Sequence, residues 1–144
     1  MHIYYYLNNT FFLDTKNFSL WINNSEKKNS IFFDSTQKEE TLFSSEDLNI
    51  KLINYNLLIK YQDKKVIVVQ NFDKNIFQEN IDICFIKLDF VEQLINNKIS
   101  CKMILPVYNE QTYNEEYVLD FARNIMLNSL GTPKVLKYWQ YILV

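Results

Sequence analysis

The sequence predicts an α+β domain: a largely antiparallel sheet built from N-terminal hairpins, with helices concentrated in the C-terminal half. Three observations predict it. The first half reads as short β-branched and aromatic runs separated by polar, asparagine-rich turns. Val66-Ile67-Val68-Val69 is apolar on both faces, as a central strand covered on both sides must be. From Asp89 onward, helical spacings interleave with strand alternation. A chain of 144 residues suits one domain of ordinary size, so residues 1–144 are taken as a single unit.

In chain order, Tyr4 to Leu7 and Thr10 to Leu13 flank Asn8-Asn9, a two-residue turn that uses asparagine's tolerance of positive φ. Phe18 to Ile22 and Ser30 to Phe33 flank the polar run 23–29, read as a longer hairpin loop. Thr36-Gln37-Lys38-Glu39 has the spacing of a capping box, predicting a short helix through Phe43. Ile53 to Tyr61 alternates as one strand, and Gln62-Asp63-Lys64-Lys65 turns it into the 66–69 run. Ile81 to Ile86 is a further strand. Asp89 then opens a helix with Leu88, Val91, Leu94 and Ile95 on one face. Ile99, Cys101, Met103, Leu105 and Val107 alternate as a strand that Pro106 pushes towards an edge or an end. Asn114 caps a helix whose Tyr117, Val118, Phe121, Ala122 and Ile125 form a core stripe. Gly131 is read as its left-handed cap. Thr132 and Pro133 then start a last helix that buries Val135, Leu136, Trp139, Ile142 and Leu143.

Composition limits the chemistry. A hydrophobic content of 48% excludes a disordered chain, and a mean hydropathy of −0.20 without a run of ~18 apolar residues predicts no membrane helix. The N-terminus has no basic stretch and too short an apolar one for a secretion signal, so a cytoplasmic location is expected. The single histidine, His2, sits by a terminus, a poor place for a nucleophile's base or a metal ligand. Cys84 and Cys101 lie inside strand patterns and read as buried thiols. With Gly131 as the single glycine, no glycine-rich phosphate cradle can form. Lysine far outnumbers arginine, but A/T-rich codons account for that bias, so it carries no chemical message. The expectation is a binding protein, not an enzyme, with no catalytic residues, metal or cofactor. Carboxylates paired across the fold would escape this reading.

Charge is distributed more suggestively than its net value of −2 implies. Residues 34–47 carry Asp34, Glu39, Glu40, Glu46 and Asp47 against Lys38, and residues 110–120 carry Glu110, Glu115, Glu116 and Asp120 with no base. Acids in a helix's first turn meet its dipole favourably, which explains Glu115 and Glu116 without any partner. They can equally steer the chain towards a basic protein. The partner-binding candidates are therefore Glu39, Glu40, Glu46, Asp47, Glu110, Glu115, Glu116 and Asp120, with Tyr113 beside them in a polar loop. Nucleic acid is not expected as a partner, because an acidic chain with Arg123 as its one arginine neutralises phosphates poorly. Lys134, Lys137, Tyr138, Gln140 and Tyr141 after Gly131 make a weak helix-turn-helix reading.

Small, mildly acidic and lacking a catalytic constellation, the chain resembles bacterial immunity proteins paired with contact-dependent or secreted toxins. The resemblance is one of general character. It implies a cognate toxin, of a basic nuclease type, as the partner of a monomer or weak dimer. The alternatives are a secretion chaperone or adaptor and a phage or viral inhibitor of a host defence nuclease. The strand-like Tyr4-Tyr5-Tyr6 opening counts against the chaperone, which would begin with an amphipathic helix.

Overall fold

The computed structural model describes residues 1–6, 9–33, 36, 38–108, 114–136 and 140–144. Strands β1 (His2–Tyr6), β2 (Thr10–Asp14), β3 (Ser19–Ile22) and β4 (Ser30–Ile31) form the first sheet with the last strand, β12 (Tyr141–Leu143), in the order β12-β1-β2-β3-β4. The second sheet holds β5 (Glu40–Ser44), β6 (Leu48–Ile53), β7 (Asn56–Tyr61), β8 (Lys64–Val69), β9 (Ile83–Ile86), β10 (Met103–Pro106) and β11 (Thr132–Pro133). Its order is β11-β10-β9-β8-β7-β6-β5. Helices α1 (Val91–Asn96) and α2 (Glu115–Leu127) complete the α+β fold, which is mostly antiparallel with its main helix near the C-terminus. Strands β8 to β11 run parallel, so the chain between them must cross over the sheet, and α1 and α2 lie in two of those crossovers.

The molecule has three layers because the second sheet is apolar on both faces. Along β8, Val66 and Val68 face the first sheet, while Ile67 and Val69 face the helices. Strand β9 repeats the division, with Ile83 and Phe85 on one side and Cys84 and Ile86 on the other. The first core joins Ile3, Tyr5, Phe11 and Leu13 of the first sheet to Ile50, Leu57, Ile59 and Phe85 of the second. The second core sits beneath Val91, Leu94, Phe121 and Ile125 of the helices. The predicted central strand at 66–69 is thus covered on both sides, and Pro106 ends its strand as expected.

Several predicted elements differ. Ile53 to Tyr61 is two strands, because Asn54 and Tyr55 both take positive φ (47° and 65°) and turn β6 back into β7. The predicted helix after Thr36 is strand β5 from Glu40, since the alternating Thr41 and Phe43 pair with β6, and that pairing outweighs a capping pattern. Gln37 of that pattern, like Asn8 of the predicted Asn8-Asn9 turn, lies outside the described residues. The 23–29 run does not close a hairpin. It doubles back so that Trp21 and Ile22 pair in parallel with Ser30 and Ile31. Asp89 falls in a short 3-10 turn, and Phe90, with no side-chain cap, precedes α1.

The largest difference is at the C-terminal end, where the predicted last helix is replaced by two strands. Thr132 and Lys134 give their N–H groups to the carbonyls of Lys102 and Ile104, making β11 an edge strand on β10. Pro133 lacks a donor and is tolerated at that edge. Tyr141–Leu143 pairs with β1, so Tyr141, Ile142 and Leu143 alternate across a sheet and do not share a helical face. Trp139, predicted in the core, lies outside the described residues together with Lys137 and Tyr138. Gly131 is not the helix cap either: Ser129 (φ 54°) takes the left-handed position. A Cβ at Gly131 would lie 2.0 Å from the Cys101 carbonyl oxygen, so the glycine serves a close backbone approach.

Two buried polar side chains brace the fold, one within the second sheet and one between the sheets. Asn56 accepts the N–H groups of Gln70 and Asn71 at 2.8 and 2.9 Å and donates to the Asn54 carbonyl, fixing the end of β8 against the β6–β7 turn. Tyr5 spans the two sheets. Its hydroxyl donates to the Tyr108 carbonyl at 2.7 Å and accepts the Tyr108 N–H at 3.0 Å, while its ring packs on Phe11 and Phe85. Replacing Tyr5 by Phe keeps the ring and leaves both main-chain groups of Tyr108 buried without that partner. The expected loss is about 1–3 kcal/mol, measured as a lower urea midpoint at constant slope. An unchanged midpoint would show that the hydroxyl does not hold the sheets together.

Candidate partner-binding surface

The first acidic stretch is divided between the two ends of β5. Glu39 and Glu40 stand at its start, while Glu46 and Asp47 occupy the turn into β6. Strand β5 is the outer edge of the second sheet, with Leu42 and Phe43 leaning on the first core and Glu40, Thr41 and Ser44 exposed. The pairing register shifts between Thr41 and Phe43. Acids and a bulge along a sheet edge discourage pairing with another chain, which accounts for this stretch structurally.

The second stretch lies on α2. Asn114 accepts the Tyr117 N–H at 2.6 Å, the capping bond its sequence position predicts, and Glu115 and Glu116 follow in the first turn. Asp120 lies 3.5 Å from Arg123 one turn on. Phe121 and Ile125 turn inward, and the Tyr117 hydroxyl accepts the Leu88 N–H at 3.1 Å, docking the helix. Glu110 and Tyr113 lie outside the described residues.

These two groups of acids do not form one surface along the sheet. Helix α2 packs on β10 and β11, and β5 is the opposite edge of the same seven-stranded sheet. At ~4.8 Å per strand the two edges are roughly 29 Å apart along the sheet.

The solvent face of α2 carries something the acid pattern concealed. Leu119 is 60% exposed, Met126 66% and Leu127 75%, on the side opposite Phe121 and Ile125. Leu119 and Met126 are seven residues apart, two turns on one face. The signal was present in the sequence, because these three apolar residues fall off the Tyr117–Val118–Phe121–Ala122–Ile125 stripe. Glu116 and Asp120 border the same face and Arg123, paired with Asp120, lies within it, so apolar contact area is set among charges with acids in excess.

A second polar cluster crosses the start of the parallel strands. Glu79 bridges Lys60 (3.4 Å) and Lys65 (2.8 Å). Asp82 accepts Lys102 Nζ at 2.6 Å and the Lys65 N–H at 2.9 Å. Beside it, a cleft of about 490 Å³ is lined by Phe77, Asp82, Cys101, Lys102 and Gly131, among others. Burial works against the Asp82 charge, but the Lys102 ammonium and the Lys65 amide outweigh it and hold the carboxyl below its ordinary value. The hydrogen-bonded lysines 65 and 60 hold Glu79 low in the same way. Carboxylates held ionised by close donors are poor proton acceptors, so this cluster suits structural pairing. Cys84, fully buried beside Cys101, has its thiol pushed up by desolvation. Among the described residues no three His, Cys, Asp or Glu side chains gather as a metal site, and no helix is long and apolar enough to cross a membrane.

No protein-family model matches the chain, and no curated protein matches its sequence.

The two low carboxyls set a pH dependence. A carboxyl that ionises more readily when folded stabilises the fold above its unfolded value, and that contribution disappears as pH falls through the lower folded value. The ordinary values are 4.5 for Glu79 and 3.8 for Asp82, so the contribution should be complete above about pH 5.5 and fade below about pH 4. The parent chain should therefore melt above a Glu79→Gln, Asp82→Asn variant at neutral pH, and the gap should narrow as pH falls below about 4. Thermal melts across that range decide it. A gap that is the same at both ends would remove these ion pairs from the acid response.

Proposed function

We propose that the chain is a protein-binding module of the immunity type, which neutralises a basic, nuclease-like bacterial toxin by docking it on the solvent face of α2. One observation carries the reading: Leu119, Met126 and Leu127 are exposed on a helix whose opposite face already fills the core. Exposed leucine and methionine gain nothing in water, and an apolar centre bordered by polar groups is the usual anatomy of a protein interface. The acids supply direction. Glu115, Glu116 and Asp120 would draw a basic partner to the apolar centre, raising the association rate more than the final affinity. In this reading the acids along β5 guard a sheet edge, and α2 does the binding. The chain would meet its toxin in the cytoplasm as a monomer or weak dimer, contributing bulk and charge at the interface and no covalent chemistry.

Co-expression with the product of the neighbouring gene tests this directly. The neighbour should be lethal alone, and this chain should rescue growth through a complex that survives purification. Leu119→Glu with Met126→Glu, both exposed and cheap for the fold, should weaken the complex by at least 100-fold, about 2.7 kcal/mol or more. Reversing Glu115, Glu116 and Asp120 to Lys should instead slow association about tenfold at low salt and less at high salt. A harmless neighbour, rescue without a complex, or full rescue by the Leu119/Met126 variant would each overturn the proposal.

A further inference from the structure

The outer face of the first sheet, on the far side of the molecule from the helices, has its own chemistry. Ile3, Tyr5, Phe11, Leu13, Leu20, Ile22 and Ile142 turn into the core, so the alternate residues of β12, β1, β2 and β3 turn outward. Those at one register level are all aromatic: Tyr141 lies opposite Tyr4, Tyr4 opposite Phe12, and Phe12 opposite Trp21. The four rings form an unbroken row with centroid separations of 5.1, 5.8 and 4.7 Å. Tyr4, Phe12 and Trp21 are half-buried and Tyr141 is exposed. At the β3 end, Lys27 Nζ lies 5.8 Å from the centre of the Trp21 ring. Lys27 and Lys28, both exposed, line an open depression of about 270 Å³ with Phe12, Ser19 and Trp21.

One outward aromatic pair is ordinary sheet stabilisation. A row across four strands, with two ammonium groups at its end, is a stacking platform with a charge preference. We infer that this face binds a short stretch of single-stranded nucleic acid. Base faces stack on the rings irrespective of sequence, and phosphates meet Lys27 and Lys28. The row spans about 15 Å at ~4.8 Å per strand, room for two or three extended nucleotides. A neutral sugar chain would also stack on the rings, but it would leave the two lysines without a role. Asp14, the acid closest along β2, is engaged by the Ser19 hydroxyl at 2.7 Å. The net charge of −2 weighs against binding driven by phosphate neutralisation alone, yet stacking requires few cations, and Lys27 and Lys28 stand at the platform beside the single acid of their loop, Glu26. This site is separate from α2, so the two proposals stand or fall independently.

The test is fluorescence anisotropy of the full chain with labelled ten-nucleotide oligouridylate and oligothymidylate. Binding is expected with Kd of about 1–100 µM and a log–log salt slope near −1.4, as for two phosphate contacts on a single strand. Tyr141→Ser, at the exposed end of the row, with Phe12→Ser should weaken binding at least tenfold. Lys27→Glu with Lys28→Glu, in an exposed loop where folding is not at stake, should weaken it tenfold and flatten the salt slope towards zero. Circular dichroism checks that each variant keeps its fold. No binding to about 100 µM, or affinity unchanged in the lysine variant, overturns the inference. Binding of a neutral oligosaccharide in place of the oligonucleotides does the same. A dimer that the ring substitutions dissociate and that ignores oligonucleotides would assign the face to self-association.

Discussion

The contact on which the rest of the structure depends is the hydroxyl of Tyr5 against the main chain of Tyr108. It lies in the seam between the two sheets, where an unpaired polar group is costly, and it satisfies a donor and an acceptor at once. Burial raises the Tyr5 phenol above its ordinary value, so the hydroxyl keeps the proton it donates. Tyr108 passes the connection on. Its own hydroxyl donates to the Leu136 carbonyl, fixing the segment that returns from the second sheet to the first. That segment ends in β12, which pairs with β1, the strand carrying Tyr5. The two ends of the chain then meet, with Val144 N–H on the Met1 carbonyl at 2.8 Å. A local polar bond in the seam thus sits inside a closed circuit of strand pairing, which is why β12 can be a strand of three residues.

Burying both faces of the second sheet decides what is left for function. The strands β7 to β9 supply core on both sides and have little side chain to spare for chemistry. Charged residues are pushed to where those strands begin, and there Glu79 and Asp82 pair with lysines across neighbouring strands. Two broad faces remain outside: the back of α2 and the outer face of the first sheet. Each carries apolar or aromatic groups that its own layer does not need for burial.

Much of this was legible in the sequence, and each failure has a physical cause. Val66-Ile67-Val68-Val69 could be read because a strand buried on both sides has no polar position, and α2 because Asn114 and the 117–125 stripe agree with each other. The capping pattern at 36–39 and the Gly131-Thr132-Pro133 signal are local. Each was outvoted by strand pairing with a distant partner, β6 in one case and β10 in the other. The turn at Asn54-Tyr55 was hidden because alternation continues through it in phase, so period alone cannot show that the chain has reversed. The aromatic row was hidden for a different reason. Its members lie at 4, 12, 21 and 141, and no window along the chain brings them together before the register is known.

The acidic residues show the same limit from the other side. In one dimension Glu39, Glu40, Glu46 and Asp47 look like a patch, and so do Glu115, Glu116 and Asp120. Folding gives the two groups different physical settings: the ends of an edge strand, and the dipole-favoured start of a helix. Both settings stabilise acids without a partner, so acidity by itself cannot argue for binding. Leu119, Met126 and Leu127 differ in this respect. Neither edge protection nor a helix dipole rewards an exposed leucine or methionine, and the core already has its share of α2 in Phe121 and Ile125. The case for a partner at α2 therefore rests on its apolar residues and not on the neighbouring acids.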